Sequence, residues 1–200
     1  MSIAEWASAI GEFVIAFVIF LELEVGRRDA FLKEAAQMEN YVDRGKIYAA
    51  FYNTDGESTE DKSKRFCERF WKREGEDVNL KESCERQIVL FNRLGQIRRH
   101  AFLYRGDYIN LFPHAVVLFW IMVEPYIEKR RIMTGEWWAR DFEELTKNCL
   151  SFLLKNLKGG LTLYDGDRGV KKDFVIPMAE LVLLKQKLRS SRAAEPLKGF

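Results

Sequence analysis

From Trp6 to Leu21 the only charged residue is Glu12, and the run closes on Glu22, Glu24 and the pair Arg27-Arg28. These 16 residues make about 24 Å of helix, against a membrane hydrocarbon core roughly 30 Å thick. Extending the segment to Ile3–Val25 gives 23 residues but takes in Glu5, Glu12, Glu22 and Glu24. At 100° per residue, Glu5, Ser8, Glu12 and Ala16 share one stripe, and Phe13, Val14, Phe17, Val18, Phe20 and Leu21 cover the remaining circumference. Ala7 and Gly11 add a small-xxx-small spacing that permits close helix contact. The pattern predicts an N-terminal membrane helix whose narrow polar stripe meets another helix, on a partner or on a second copy of the chain. Glu12 opposes insertion, since an acidic residue inside a span costs about 2.5–3.5 kcal/mol and turns toward protein rather than lipid. The competing reading is an amphipathic helix buried in a soluble assembly. A secretory signal fits less well, because no basic residue precedes the run and no small-residue cleavage site follows it.

Beyond residue 26 the periodicity is helical nearly throughout. Phe31, Ala35, Met38 and Val42, then Tyr48, Phe51 and Tyr52, predict a juxtamembrane helix, with a loop over 53–58. Thr59 is placed to cap a charged helix running to Arg73, with Phe66, Phe70 and Trp71 inward. Cys84, Ile88, Phe91, Leu94 and Ile97 mark a longer helix over 80–104, closed by Gly106 with Asp107 starting the next. Tyr108–Val123 carries no formal charge and is read as the central helix of a bundle in preference to a second span. This run ends at Glu124-Pro125, Tyr126–Met133 continues with Glu128, Lys129, Arg130 and Arg131, and Thr134-Gly135 breaks the pattern. Trp137–Leu157 is a further amphipathic helix, with Trp138, Phe142, Leu145, Cys149 and Leu153 inward and Trp137 left exposed. Leu161–Tyr164 and Asp173–Ile176 suit a small hairpin, and a last helix begins near Pro177 and runs through Leu188. The expected fold class is all-α: residues 1–26 a membrane helix, 27–58 a juxtamembrane helix and loop, 59–190 a bundle of about five helices in all, and 191–200 a mobile tail.

Charge sets an orientation. Residues 1–26 hold four glutamates and no lysine or arginine, and the chain as a whole is +2, so the remainder carries +6. Arg27, Arg28 and Lys33 follow the run directly. Basic residues gather on the cytoplasmic side of a span, which puts the N-terminus outside and the body in the cytoplasm, at the inner membrane. A pI near 8.4 is too mild to point to nucleic acid. The three cysteines, Cys67, Cys84 and Cys149, form no CxxC and suit a reducing compartment.

Candidate chemistry is sparse. There are two histidines, His100 and His114, with no Cys/His cluster at zinc spacing, and HExxH, GxxxxGK[ST] and GxGxxG are absent. Neither metal nor cofactor is expected. Arg93 and His100, six residues apart, resemble the Arg-x4–6-His motif of HEPN ribonucleases; the resemblance implies RNA chemistry at a 2′-hydroxyl. With 17 arginines in the chain such a spacing arises readily by chance. Arg27, Arg28, Arg130 and Arg131 are candidate contacts to anionic lipid headgroups.

Phe91, Leu94, Gly106-Asp107, Trp120, Pro125, Arg130 or Arg131, Phe142 and Glu143 form a pattern that resembles domain-of-unknown-function family 4760, membrane-associated bacterial proteins. The resemblance implies one N-terminal hydrophobic helix and a helical body, and it assigns no activity. The expected function is therefore a membrane-anchored accessory or scaffold subunit without catalysis. Its expected partners are membrane lipids and another membrane protein or a second copy, met through Glu5, Ala7, Ser8, Gly11 and Glu12.

Overall fold

The structure, a computed structural model, describes residues 3–39, 43–71, 76–100, 109, 112–157, 161–163 and 174–193, and for residues 3–11, 34, 35, 37–39, 43, 44, 76, 161–163, 174, 175 and 191–193 the backbone only. Among these residues seven α-helices and one short hairpin are formed. They are α1 (Ile3–Glu39), α2 (Asp43–Tyr52), α3 (Thr59–Glu68), α4 (Glu76–His100), α5 (Pro113–Thr134), α6 (Arg140–Asn156), β1 (Leu161–Leu163), β2 (Phe174–Ile176) and α7 (Met178–Ala193). The expected all-α class holds, and the small hairpin forms within the two segments Leu161–Tyr164 and Asp173–Ile176 that suit one, although neither is a period-2 run of any length. Leu161 pairs with Ile176 and Leu163 with Phe174 in antiparallel register.

α5 is the centre of the body. Val116, Val117, Met122, Val123, Tyr126 and Ile127 have no exposed surface, and α3 and α6 pack on it. It starts at Pro113, where a missing N–H costs nothing in the first turn. The uncharged run closes at Glu124-Pro125, and the helix continues through residues 126–133 to the break at Thr134-Gly135, as the pattern predicts. The helix accepts Pro125 and runs on to Thr134, because the buried residues on either side hold it, and it stops at Gly135. Gly135 has φ 106°, a backbone conformation that side chains rarely adopt, and its N–H returns to the Arg131 carbonyl at 2.8 Å.

Aromatic rings carry the core from one helix to the next. Phe51, Phe66, Phe70 and Tyr126 meet edge to face in succession, at centroid distances of 5.5, 5.0 and 5.2 Å. Phe91 of α4 stacks on Phe142 of α6 at 5.1 Å, and Trp120 of α5 meets the same ring edge-on. Each such pair contributes about 0.5–1.5 kcal/mol beyond area burial.

α4 and α6 cross closely at Gly95. A Cβ there would overlap the Asp141 carbonyl, so only glycine lets the two backbones approach. α6 itself begins without a local cap: Ala139 sits at φ 58° and supplies no side-chain acceptor. The cap comes from α4 instead. Asn92 Oδ1 accepts the backbone N–H groups of Asp141 and Phe142 at 3.0 and 3.1 Å.

Several boundaries differ from expectation. α1 passes residue 26 without a break, in line with a pattern that continues from the first run, but it ends at Glu39 and α2 begins at Asp43, where the pattern predicts one continuous stretch to residue 52. α3 is capped by Ser58 rather than Thr59, through the Asp61 N–H at 3.1 Å, and ends at Glu68 with a 3-10 turn over Arg69–Trp71. α4 starts at Glu76, four residues early, and Gly106-Asp107 lies outside the described residues. α7 extends to Ala193, so the expected tail at 191–200 begins as helix, and 194–200 is outside the described residues.

Candidate functional site

α1 divides into two parts. Its C-terminal part touches the body along Phe20, Glu24, Arg27 and Phe31, a seam at the 3–4 spacing of one helix face. Phe31 is fully buried and stacks on Phe112 at 5.9 Å, just ahead of α5, and α1 also packs on α4. Glu24 is fully buried and receives Arg27 Nη1 at 2.5 Å. A buried carboxylate needs a close cation, and the i,i+3 spacing supplies one. Arg28 lies exposed on the next turn.

Ahead of this seam, the stretch from Glu12 to Ile19 stands clear of the body. All eight residues from Glu12 to Ile19 are exposed, and at 100° per residue they point in every direction. Seven of them are apolar, including Phe13 at 71%, Ile15 at 62% and Phe17 at 51% exposure. Phe13 and Phe17 stack on each other at 6.4 Å and cover little else. The body therefore does not bury this surface. Among the described residues no helix is long and apolar enough to cross a membrane. Glu12–Ile19 alone is about 12 Å of helix, so a span also requires the residues before it. Of the expected partner stripe, Glu12 is exposed, while the side chains of Glu5, Ala7, Ser8 and Gly11 lie outside the described ones.

The four expected lipid-contacting arginines do not come together. Arg130 and Arg131 lie about 27–29 Å along α5 from Phe112, on which Phe31 of α1 docks one turn beyond Arg27 and Arg28. Both are also engaged within the body. Arg130 lies over the Trp138 ring and approaches Glu85 at 3.7 Å. Arg131 donates to the Trp138 carbonyl at 2.9 Å and pairs with Glu143 at 2.8 Å. Glu143 also takes Lys147 at 2.6 Å. Burial pushes the Glu143 carboxyl up, but the hydrogen bonds from Lys147 and Arg131 outweigh it and hold the group below its ordinary range. This network ties α5 to α6, and the seam leaves Arg27 and Arg28 as the basic pair beside the shaft. Trp137 is 69% exposed in the turn before α6, as expected, next to Ile132 and Met133, which are also exposed.

Arg93 and His100 lie on one face of α4, two turns apart, and both are exposed. Arg99, between them, pairs with Asp141 at 2.8 Å. Residues 101–108 follow directly and lie outside the described residues. The cysteines are buried structural thiols. Burial pushes Cys67 and Cys149 up to about 12 and Cys84 well above the ordinary thiol range. Among the described residues no group of His, Cys, Asp or Glu is arranged to hold a metal ion.

Two features had no local signal. Asn92 reads in sequence as a polar helix residue, and its partners lie 49 and 50 positions away. Burial of Glu24 follows only from the α1 seam, although the Glu24/Arg27 spacing was visible. No protein-family model, no curated protein and no solved structure matches the chain.

Proposed function

We propose that this protein is a membrane-anchored accessory or scaffold subunit, in which the start of α1 is the anchor and the helical body acts by protein contact without catalysis. The observation that carries this is the apolar shaft, exposed on all sides and left uncovered by the body. Contiguous apolar surface of this kind marks a membrane or a protein interface. The helix from Ile3 to Ile19 is 17 residues, about 25 Å, the lower end of what crosses a hydrocarbon core. Arg27 and Arg28 follow where the helix meets the body, which supports a single pass with the N-terminus outside and the body in the cytoplasm, at the inner membrane. Membership of domain-of-unknown-function family 4760 belongs to the same proposal.

Alkaline carbonate extraction of membranes from cells expressing the full chain tests the anchor. Retention in the pellet, with release by detergent, is the expected result. Release by carbonate overturns it and leaves a soluble oligomer that buries α1 between copies. The ribonuclease reading retains only the shared exposed face of Arg93 and His100. RNA cleavage by the wild type that is lost in His100→Ala would establish it, and an inactive wild type ends it.

A further inference from the structure

The deepest feature of the shaft is Glu12. It lies nine residues from the first helical residue, Ile3, and seven from Ile19, where the helix meets the body, so about 13 Å and 10 Å of helix extend on either side. If the shaft spans the membrane, Glu12 sits near mid-depth. Its neighbours one helical turn away, Ser8 and Ala16, bring no charge. Glu24, the buried glutamate of α1 among the described residues, shows what this helix does with a carboxylate removed from water: it is buried against an arginine at 2.5 Å, whereas Glu22 stays exposed. Glu12 has no such cation within reach along its helix: residues 1–26 contain neither lysine nor arginine, and Arg27 follows 15 residues on, about 22 Å away.

A second copy cannot supply one either. Parallel copies would set Glu12 beside Glu12, and the spanning part of each would bring only more glutamates. We infer that the shaft docks on the membrane-spanning helix of a different protein, one that carries a lysine or arginine near mid-depth, and that Glu12 pairs with that cation. Ionisable groups at such depth face protein and pair with one another. The inference rests on the anchoring reading, and its test separates the two.

The full chain, labelled on the body with a donor fluorophore, is reconstituted into phosphatidylcholine vesicles with acceptor-labelled polyleucine helices. One helix carries a single central arginine, one a central leucine and one a central glutamate. Co-flotation with the vesicles reports anchoring by itself. The expected result is flotation, with energy transfer to the arginine helix at roughly tenfold lower acceptor density than to the leucine helix. Glu12→Gln and Glu12→Leu should float equally well and lose that difference, since Glu12 touches no part of the body. Equal transfer to all three helices, with flotation intact, overturns the pairing and leaves the anchor standing. Transfer between copies of the chain that Glu12→Leu abolishes also overturns it, in favour of self-association. Failure to float removes the anchor and the pairing together.

Discussion

Asn92→Ala isolates one long-range contact. The side chain of Asn92 satisfies two backbone donors at the start of α6, and Ala139 offers no replacement. Each net hydrogen bond is worth about 1 kcal/mol, so losing both costs about 2 kcal/mol. Alanine is a better helix former than asparagine in the middle of α4, which returns about 0.5 kcal/mol. The net expectation is destabilisation by about 1.5 kcal/mol, or roughly 3–6 °C in Tm for a chain of this length. Thermal unfolding followed by circular dichroism in mild detergent measures it. Asn92→Asp is the companion variant. A carboxylate oxygen accepts the same two N–H groups, and its charge suits a helix N-terminus, while the Arg99 ion pair to Asp141 limits repulsion between the two acids. It should keep more than half of the lost stability. A change below about 1 °C in the alanine variant would show that this cap does not hold α6, by the same scaling. Equal losses in both variants would show that shape rather than acceptance of hydrogen bonds matters at this position.

Gly95→Ala should destabilise by about 1–3 kcal/mol despite the better helix propensity of alanine, because the added Cβ meets backbone that cannot rotate away; an unchanged urea midpoint would show that the α4–α6 crossing has slack. Phe142→Ala removes the ring shared by Phe91 and Trp120 and should cost about 3–5 kcal/mol, read from the same urea titration. The Glu143 carboxyl lies below its ordinary 4.5 in the folded state, so its stabilisation is fully present above 4.5 and is lost as pH falls through the lowered value. Glu143→Gln should therefore melt earlier than wild type at pH 7 and converge with it in acid, and a gap that stays constant with pH would rule out this source. The three cysteines should resist a thiol reagent at pH 8 in the native protein and react at once in denaturant, since each is buried and held protonated; rapid native labelling would show that the body opens.

Much of the helical order is determined by the chain's own periodicity. Phe66 and Phe70, Phe91 and Leu94, and Phe142, Leu145 and Cys149 recur at three- and four-residue spacing, and all are buried. A helix repeats every 3.6 residues, so one buried face writes itself into adjacent positions. The apolar start of α1 was legible as a local run broken only by Glu12, and the strands at 161–163 and 174–176 as two short segments on either side of a polar loop sequence. Pro125 does not end α5: a helical proline costs one hydrogen bond and a clash, and here burial of Val123, Tyr126 and Ile127 outweighs them. Only the tertiary structure decided that Asn92 caps a helix some 50 positions on, that Gly95 is where two backbones touch, and that Glu24 turns inward with Arg27. It also separated Arg130 and Arg131 from Arg27 and Arg28, pairs that look alike as short basic runs. Local pattern reports which face of an element is buried, whereas the partner on that face depends on how the helices cross, and that crossing is set by packing across the whole body.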